Sequence, residues 1–184
     1  MKWFINFYIT IAVISLTSVS SEQNRAYCDK KSWNKALKSE FALESKYNEN
    51  AESFNKMLVH YQNRPFLYQN FSKQEIQDIW AQRQSISYFT WTEEYENVVK
   101  TIEQLVHRKD VVYLLLEQAI NQKQLWQEIT SHCNHMGDKS NQSAGSRYVK
   151  VGDNRIGDVK ELIDKLETLL QIYKREKAAI RYTK

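Results

Sequence analysis

Apolar residues recur at alternating spacings of three and four along residues 92–133, a segment that contains neither proline nor glycine. One row of this pattern comprises Val98, Ile102, Leu105, Val112, Leu116, Ala119, Trp126 and Cys133. A second row beside it comprises Tyr95, Val99, Val106, Tyr113 and Ile120. Two adjacent rows predict a long helix with a wide apolar face that is buried in a core. The polar run at 107–110 interrupts the pattern, and we interpret the helix as continuous through it.

Two further helices are predicted before this segment. Asp29 can cap a first helix, which should end before Pro65 because proline disfavours helical geometry in the residue that precedes it. Ser72 and Glu75 have the spacing of a capping box and predict a short helix after it. Residues 85–91 are rich in aromatic and β-branched side chains, and we interpret them as a bent linker that leads into the long helix at the capping box 90–93.

The chain after the long helix changes in composition. Residues 134–157 contain all four glycines together with many serines and asparagines, which predicts an exposed loop. Asp158 then stands where a helix cap would be expected, and the apolar residues that follow it form a regular heptad. A last helix is therefore predicted from 158, with a basic end that suits a helix C-terminus.

Cys28 and Cys133 are the only cysteines. In an oxidising compartment the simplest expectation is a disulfide between them; free thiols or an intermolecular bond are the alternatives. The bond would join the start of the first helix to the end of the third, so these two helices must run antiparallel. We therefore predict an all-α fold: an elongated bundle of three long helices plus one short helix.

The compartment follows from the N-terminus. Residues 1–20 begin with one lysine, continue as an apolar run and end in small residues, which is typical of a cleaved secretory signal peptide. The run is too short to span a bilayer, so we expect a secreted chain without stable membrane insertion. Residues 21–184 would then form a single domain. Two glycosylation sequons, at Asn70 and Asn141, become usable in this compartment.

An aromatic cluster precedes and opens the long helix. Its members are Trp80, Tyr88, Phe89, Trp91 and Tyr95. These rings can simply close one end of the bundle. They can also form a candidate binding surface, because tryptophan and tyrosine are frequent anchors in protein interfaces.

The sequence contains few residues that indicate a catalytic or metal-binding site. His132, Cys133 and His135 are metal-ligand types, but their spacing matches no common site and Cys133 is expected in the disulfide. We therefore expect no metal, cofactor or catalytic activity. The formal net charge is only +4 and both signs are interspersed, so nucleic acid is not an expected partner. The expected function is extracellular binding of a protein partner; the alternative is carriage of an apolar small molecule in the bundle. The oligomeric state does not follow from the sequence.

Overall fold

A computed structural model describes residues 27–64 and 66–180, and for Tyr68 it describes the backbone only. This part of the chain contains five helices and no strand: α1 (Lys30–Gln62), α2 (Leu67–Asn70), α3 (Lys73–Ala81), α4 (Ile86–His135) and α5 (Lys139–Ile180). The all-α bundle with three long helices is confirmed, but two short helices accompany them instead of one. The predicted signal peptide lies outside the described residues.

The three long helices form the bundle. α4 and α5 run antiparallel and pack closely along most of their length, and α1 packs mainly against α4. Cys28 and Cys133 form the predicted disulfide, which joins the residue before the N-cap of α1 to the last turn of α4. One large core runs from the α2–α3 end to the middle of the bundle, and a smaller one lies at the disulfide end.

The predicted loop at 134–157 is wrong, because α5 begins at Lys139. The connection is a tight turn in which Gly137 adopts a φ of 73° and follows the C-cap residue Met136. Asp138 then accepts a hydrogen bond from the backbone N–H of Asn141 at 3.0 Å. A left-handed glycine followed by an aspartate that caps the next helix is a compact way to reverse direction. Asp158 is consequently an exposed residue inside α5 and caps nothing.

Two glycines of this region are contact residues of the helix. Gly145 and Gly152 are buried in α5 and precede Val159, Leu166, Tyr173 and Ile180 in one unbroken row with a spacing of seven. A Cβ atom built on Gly145 would stand 2.3 Å from Oγ1 of Thr130 on α4. On Gly152 it would stand 2.9 Å from Cβ of Lys123. The glycines are therefore required by the close approach of α4 and α5.

Gly152 and Gly157 provide a matched pair of substitutions. Gly157→Ala should raise the free energy of unfolding by about 0.5–1 kcal/mol, because alanine favours the helix and nothing lies within 4 Å of the added Cβ. Gly152→Ala should lower the free energy of unfolding, because the added Cβ would collide with Cβ of Lys123. That atom is attached to the α4 backbone and cannot move away as the end of a flexible side chain could. Urea unfolding of both variants would show the difference. Equal stabilisation by both would contradict the close α4–α5 contact.

The start of α4 also differs from the prediction. Ser85, and not Thr90, caps the helix by accepting a hydrogen bond from the N–H of Tyr88 at 3.1 Å. The segment 85–91 is thus the cap and first turns of α4 and not a bent linker, since packing of Trp91 and Tyr88 against the core outweighs the strand preference of these residue types.

The continuity of α4 through 107–110 is confirmed. Lys109 donates a hydrogen bond to Oε2 of Glu167 on α5 at 2.6 Å. This bond raises the pKa of Lys109 and lowers the pKa of Glu167 from their ordinary values. Lys109 lies in line with the first apolar row, between Leu105 and Val112. Its ion pair with Glu167 connects α4 to α5, and the helix continues through this position.

Candidate functional site

The aromatic cluster is mainly part of the core. Trp80 and Trp91 are buried, and Tyr88 and Tyr95 are partly buried against the same core. The indole N–H of Trp80 donates to the backbone carbonyl of Ile180 at 2.8 Å, which fastens α3 to the end of α5. Phe89 alone among the five is largely exposed, at 63%. The cluster as a whole therefore closes the bundle end, and Phe89 remains as the accessible member of the candidate binding surface.

The two sequons lie near opposite ends of α4. Asn141 is in the first turn of α5, and its side-chain amide donates to Oδ2 of Asp138 at 2.7 Å. Asn70 ends α2, and its amide donates to the carbonyl of Phe66 at 3.0 Å. The hydroxyl of Ser72, which completes the Asn70 sequon, accepts from the N–H of Glu75 within the predicted capping box. Glycans on these residues would leave the middle of α4 accessible.

The two histidines near Cys133 lie at the disulfide end of the bundle, and only His132 contacts Cys28. Nδ1 of His132 accepts a hydrogen bond from the N–H of Cys28 at 3.1 Å, and the His132 ring meets the edge of Tyr27. His135 is exposed, and its Nδ1 is 2.7 Å from the carbonyl of Ser131. The described residues contain no group of three histidines, cysteines or acidic residues arranged to hold a metal ion.

The second apolar row of α4 is the main departure from the predicted core. The first row is buried or partly buried as expected, but Val106, Tyr113 and Ile120 are 39%, 50% and 41% exposed. In the described residues neither α1 nor α5 covers them. A different side of α4, which carries Leu115, Gln122 and Ile129, is buried in place of the second row. On this side Gln122 donates a hydrogen bond to the carbonyl of Ala36 in α1 at 2.8 Å.

A row of carboxylates follows this apolar row along α4. Its members are Glu96, Glu103, Asp110 and Glu117, each three residues before Val99, Val106, Tyr113 and Ile120, respectively. Residues three apart are neighbours on a helix surface, so the two rows lie side by side. We call these eight residues the open face of α4. All four carboxylates are exposed, and none forms an ion pair with a cation in the described chain.

The open face has the composition of a contact surface. Monomeric proteins expose single apolar residues routinely, whereas several exposed apolar residues in one row, bordered by charge, are typical of an interaction site. From Glu96 to Ile120 the face extends over roughly 36 Å at about 1.5 Å per residue. Tyr113 lies near its centre, and tyrosine is among the residue types that most often dominate binding energy.

Comparison with known proteins gave no match: no protein-family model, curated protein or solved structure is similar enough to the chain to assign it to a family. None of the described helices combines the length and the apolar character needed to cross a bilayer.

Proposed function

We propose that the protein is a secreted, glycosylated binding factor that acts without catalysis and contacts a protein partner through the open face of α4. The observation that carries this proposal is the uncovered apolar row around Tyr113 with its border of unpaired carboxylates. Secretion is supported by the signal-like segment 1–20 and by the disulfide, a bond that persists mainly in oxidising compartments.

The negative charge of the open face determines the charge that a partner helix needs beside its apolar stripe. A helix that lays an apolar stripe over Val106, Tyr113 and Ile120 would place one of its flanks beside the acidic row. Lysine or arginine on that flank would be attracted, and acidic residues would be repelled. A second copy of α4 would bring the two acidic rows together in an antiparallel pairing. A different protein that presents a basic amphipathic helix fits this face better than an antiparallel second copy, and it would dock in the helix-on-helix manner.

Two synthetic helical peptides of about 24 residues test this partner chemistry. Both carry the same leucine stripe; one is flanked by lysine and the other by glutamate. Titration into the isotope-labelled mature protein should show saturable binding of the lysine-flanked peptide, with NMR signal changes centred on the open face. The glutamate-flanked peptide should not bind.

Tyr113→Ala supplies the site-specific arm of the same experiment. It should weaken binding of the lysine-flanked peptide by about 30-fold or more, which corresponds to the loss of an interface anchor. Phe41→Ala is the matched control, because Phe41 is an exposed aromatic residue on α1 outside the open face. Equal binding of both peptides, or equal weakening by both substitutions, would refute the proposal.

The alternative function, carriage of an apolar small molecule, requires an enclosed apolar cavity. Four grooves lined by described residues are open to solvent and have polar side chains along their walls. The open face is a specific feature that supports a protein partner, and these four grooves do not offer a comparable feature for the carrier.

A further inference from the structure

A cleft between α1 and α4 carries a concentration of positive charge in the half of the bundle away from the disulfide. It consists of two adjoining lobes of about 400 and 330 Å³ that share His60, Thr101 and Gln104. We call it the cationic cleft. The charged or titratable side chains on its walls are Lys56, His60, Arg64, Lys100 and Arg108, opposed by Glu94. Leu169 and Tyr173 of α5 contribute an apolar part of the lining.

The cleft exists because α4 changes character along one row. Toward the disulfide end the row carries Leu115, Gln122 and Ile129, which are buried. One and two heptads earlier, the same row carries Arg108 and Thr101, which are only partly buried. Polar residues at positions where a bundle usually has apolar ones reduce the packing between the helices. α1 and α4 consequently leave an open groove here.

Most of the charge in the cleft is available to a ligand. Lys56 pairs with Glu52 at 2.7 Å, but both side chains are largely exposed, and such pairs are weak. No described acidic residue forms an ion pair with Lys100 or Arg108. Asn97, Thr101 and Gln104 add neutral hydrogen-bonding groups between these two cations.

Arg64 is held in the wall of the cleft and is preorganised there. Its guanidinium lies 5.5 Å from the ring centroid of Tyr173 and 5.9 Å from that of Phe66, and it forms an ion pair with Glu94. Its Nε atom is buried and has no hydrogen-bond acceptor. A buried N–H without an acceptor is unfavourable, so an anionic oxygen that reached Nε from the adjacent lobe would stabilise a complex.

We propose that the cationic cleft binds a ligand bearing sulfate or phosphate ester groups. Arg64 and His60 contact the oxyanion in one lobe, and Lys56 and Arg108 contact a second anionic group in the other. Lys100 borders the first lobe. Guanidinium and ammonium groups form strong charge-assisted hydrogen bonds with such oxyanions. The site shares no residue with the open face, and it does not depend on the function proposed for that surface.

Calorimetric titrations of the mature protein at constant ionic strength test this site. The probes are inorganic sulfate, inorganic phosphate, a sulfated heparin disaccharide and inositol hexakisphosphate, with chloride as the reference. Saturable binding of at least one polyanionic probe is expected. Tighter binding of the sulfated disaccharide identifies a glycan source, and tighter binding of the inositol phosphate identifies a phosphate-ester source.

The double variant Lys100→Gln/Arg108→Gln should lower the affinity for the tighter-binding probe at least about tenfold. Lys160→Gln/Arg175→Gln is the matched control, because it removes the same charge from exposed positions of α5 outside the cleft. It should change the affinity by less than about twofold. Equal weakening by both variants would show a general charge effect and overturn the proposal.

NMR of the wild-type protein keeps the test independent of how the variants fold. Signals of Asn97, Thr101 and Gln104 should shift as the probe saturates. Absence of saturable binding by all four probes, or shifts confined to Lys30, Lys31 and Lys35 at the start of α1, would overturn the site.

Discussion

Replacement of both Cys28 and Cys133 by alanine is expected to lower the free energy of unfolding by about 4–5 kcal/mol. The reason is the length of chain that the bond closes, since the two cysteines are 105 residues apart in sequence. Without the bond the unfolded chain gains conformational freedom that the native state does not share. Cys133 is also fully buried in the smaller core, so its sulfur contributes packing.

Urea unfolding of the wild-type protein and the double variant measures this effect. Met136→Ala is a suitable control, because Met136 is an exposed residue of the same helix end and its loss should have little effect. Wild-type protein kept under reducing conditions should unfold at a urea concentration close to that of the double variant. A loss below about 1 kcal/mol would show that the bond does not constrain the unfolded chain as the entropy model requires.

Trp126→Ala should have the second largest effect, a loss of about 3–5 kcal/mol in the free energy of unfolding. Trp126 is fully buried where all three long helices meet. Its ring stacks on Tyr148 of α5 with centroids 4.3 Å apart and meets the edge of Trp33 of α1 at 5.2 Å. Alanine would leave a cavity between the helices and remove both ring contacts.

The polar contact of Trp126 can be separated from its packing. Its indole N–H donates to Oε2 of the buried Glu40 at 3.1 Å, and Glu40 also lies 3.6 Å from the guanidinium of Arg155. Trp126→Phe keeps an aromatic ring but removes the donor and part of the ring volume, so it should destabilise by about 1–3 kcal/mol. Thermal unfolding of both variants would check the order. If alanine were tolerated as well as phenylalanine, the proposed packing of this core would be wrong.

The sequence predicted the elements whose signals are local. The cap at Asp29, the Ser72–Glu75 capping box and the buried first row of α4 all correspond to the structure. The disulfide also followed, because only one pairing of two cysteines is possible within a chain. These features depend on residues close together in sequence or on a single choice.

The first half of α5 could not be recognised from composition. Glycine, serine and asparagine usually indicate a loop, but here Gly145 and Gly152 allow α4 to approach α5. Their spacing of seven, continued by Val159, was the available signal. It becomes meaningful only when a partner helix is known to lie against that row.

The open face was missed for a related reason. Periodicity shows that Val106, Tyr113 and Ile120 form a row, but it does not show which neighbouring helix covers that row. α5 packs on the first apolar row, and α1 packs on the side that carries Leu115 and Ile129. Only the positions of both helices reveal that the second row remains on the surface.

Solvent accessibility of methyl groups tests the open face most directly. With a soluble gadolinium chelate, the methyl signals of Val106 and Ile120 should relax strongly, while those of the buried Val112 should not. Saturation with the lysine-flanked peptide should protect Val106 and Ile120 and leave Val112 unchanged. Protection of Val106 and Ile120 in the free protein, or their continued exposure when the peptide is bound, would contradict the assignment of this face as the binding surface.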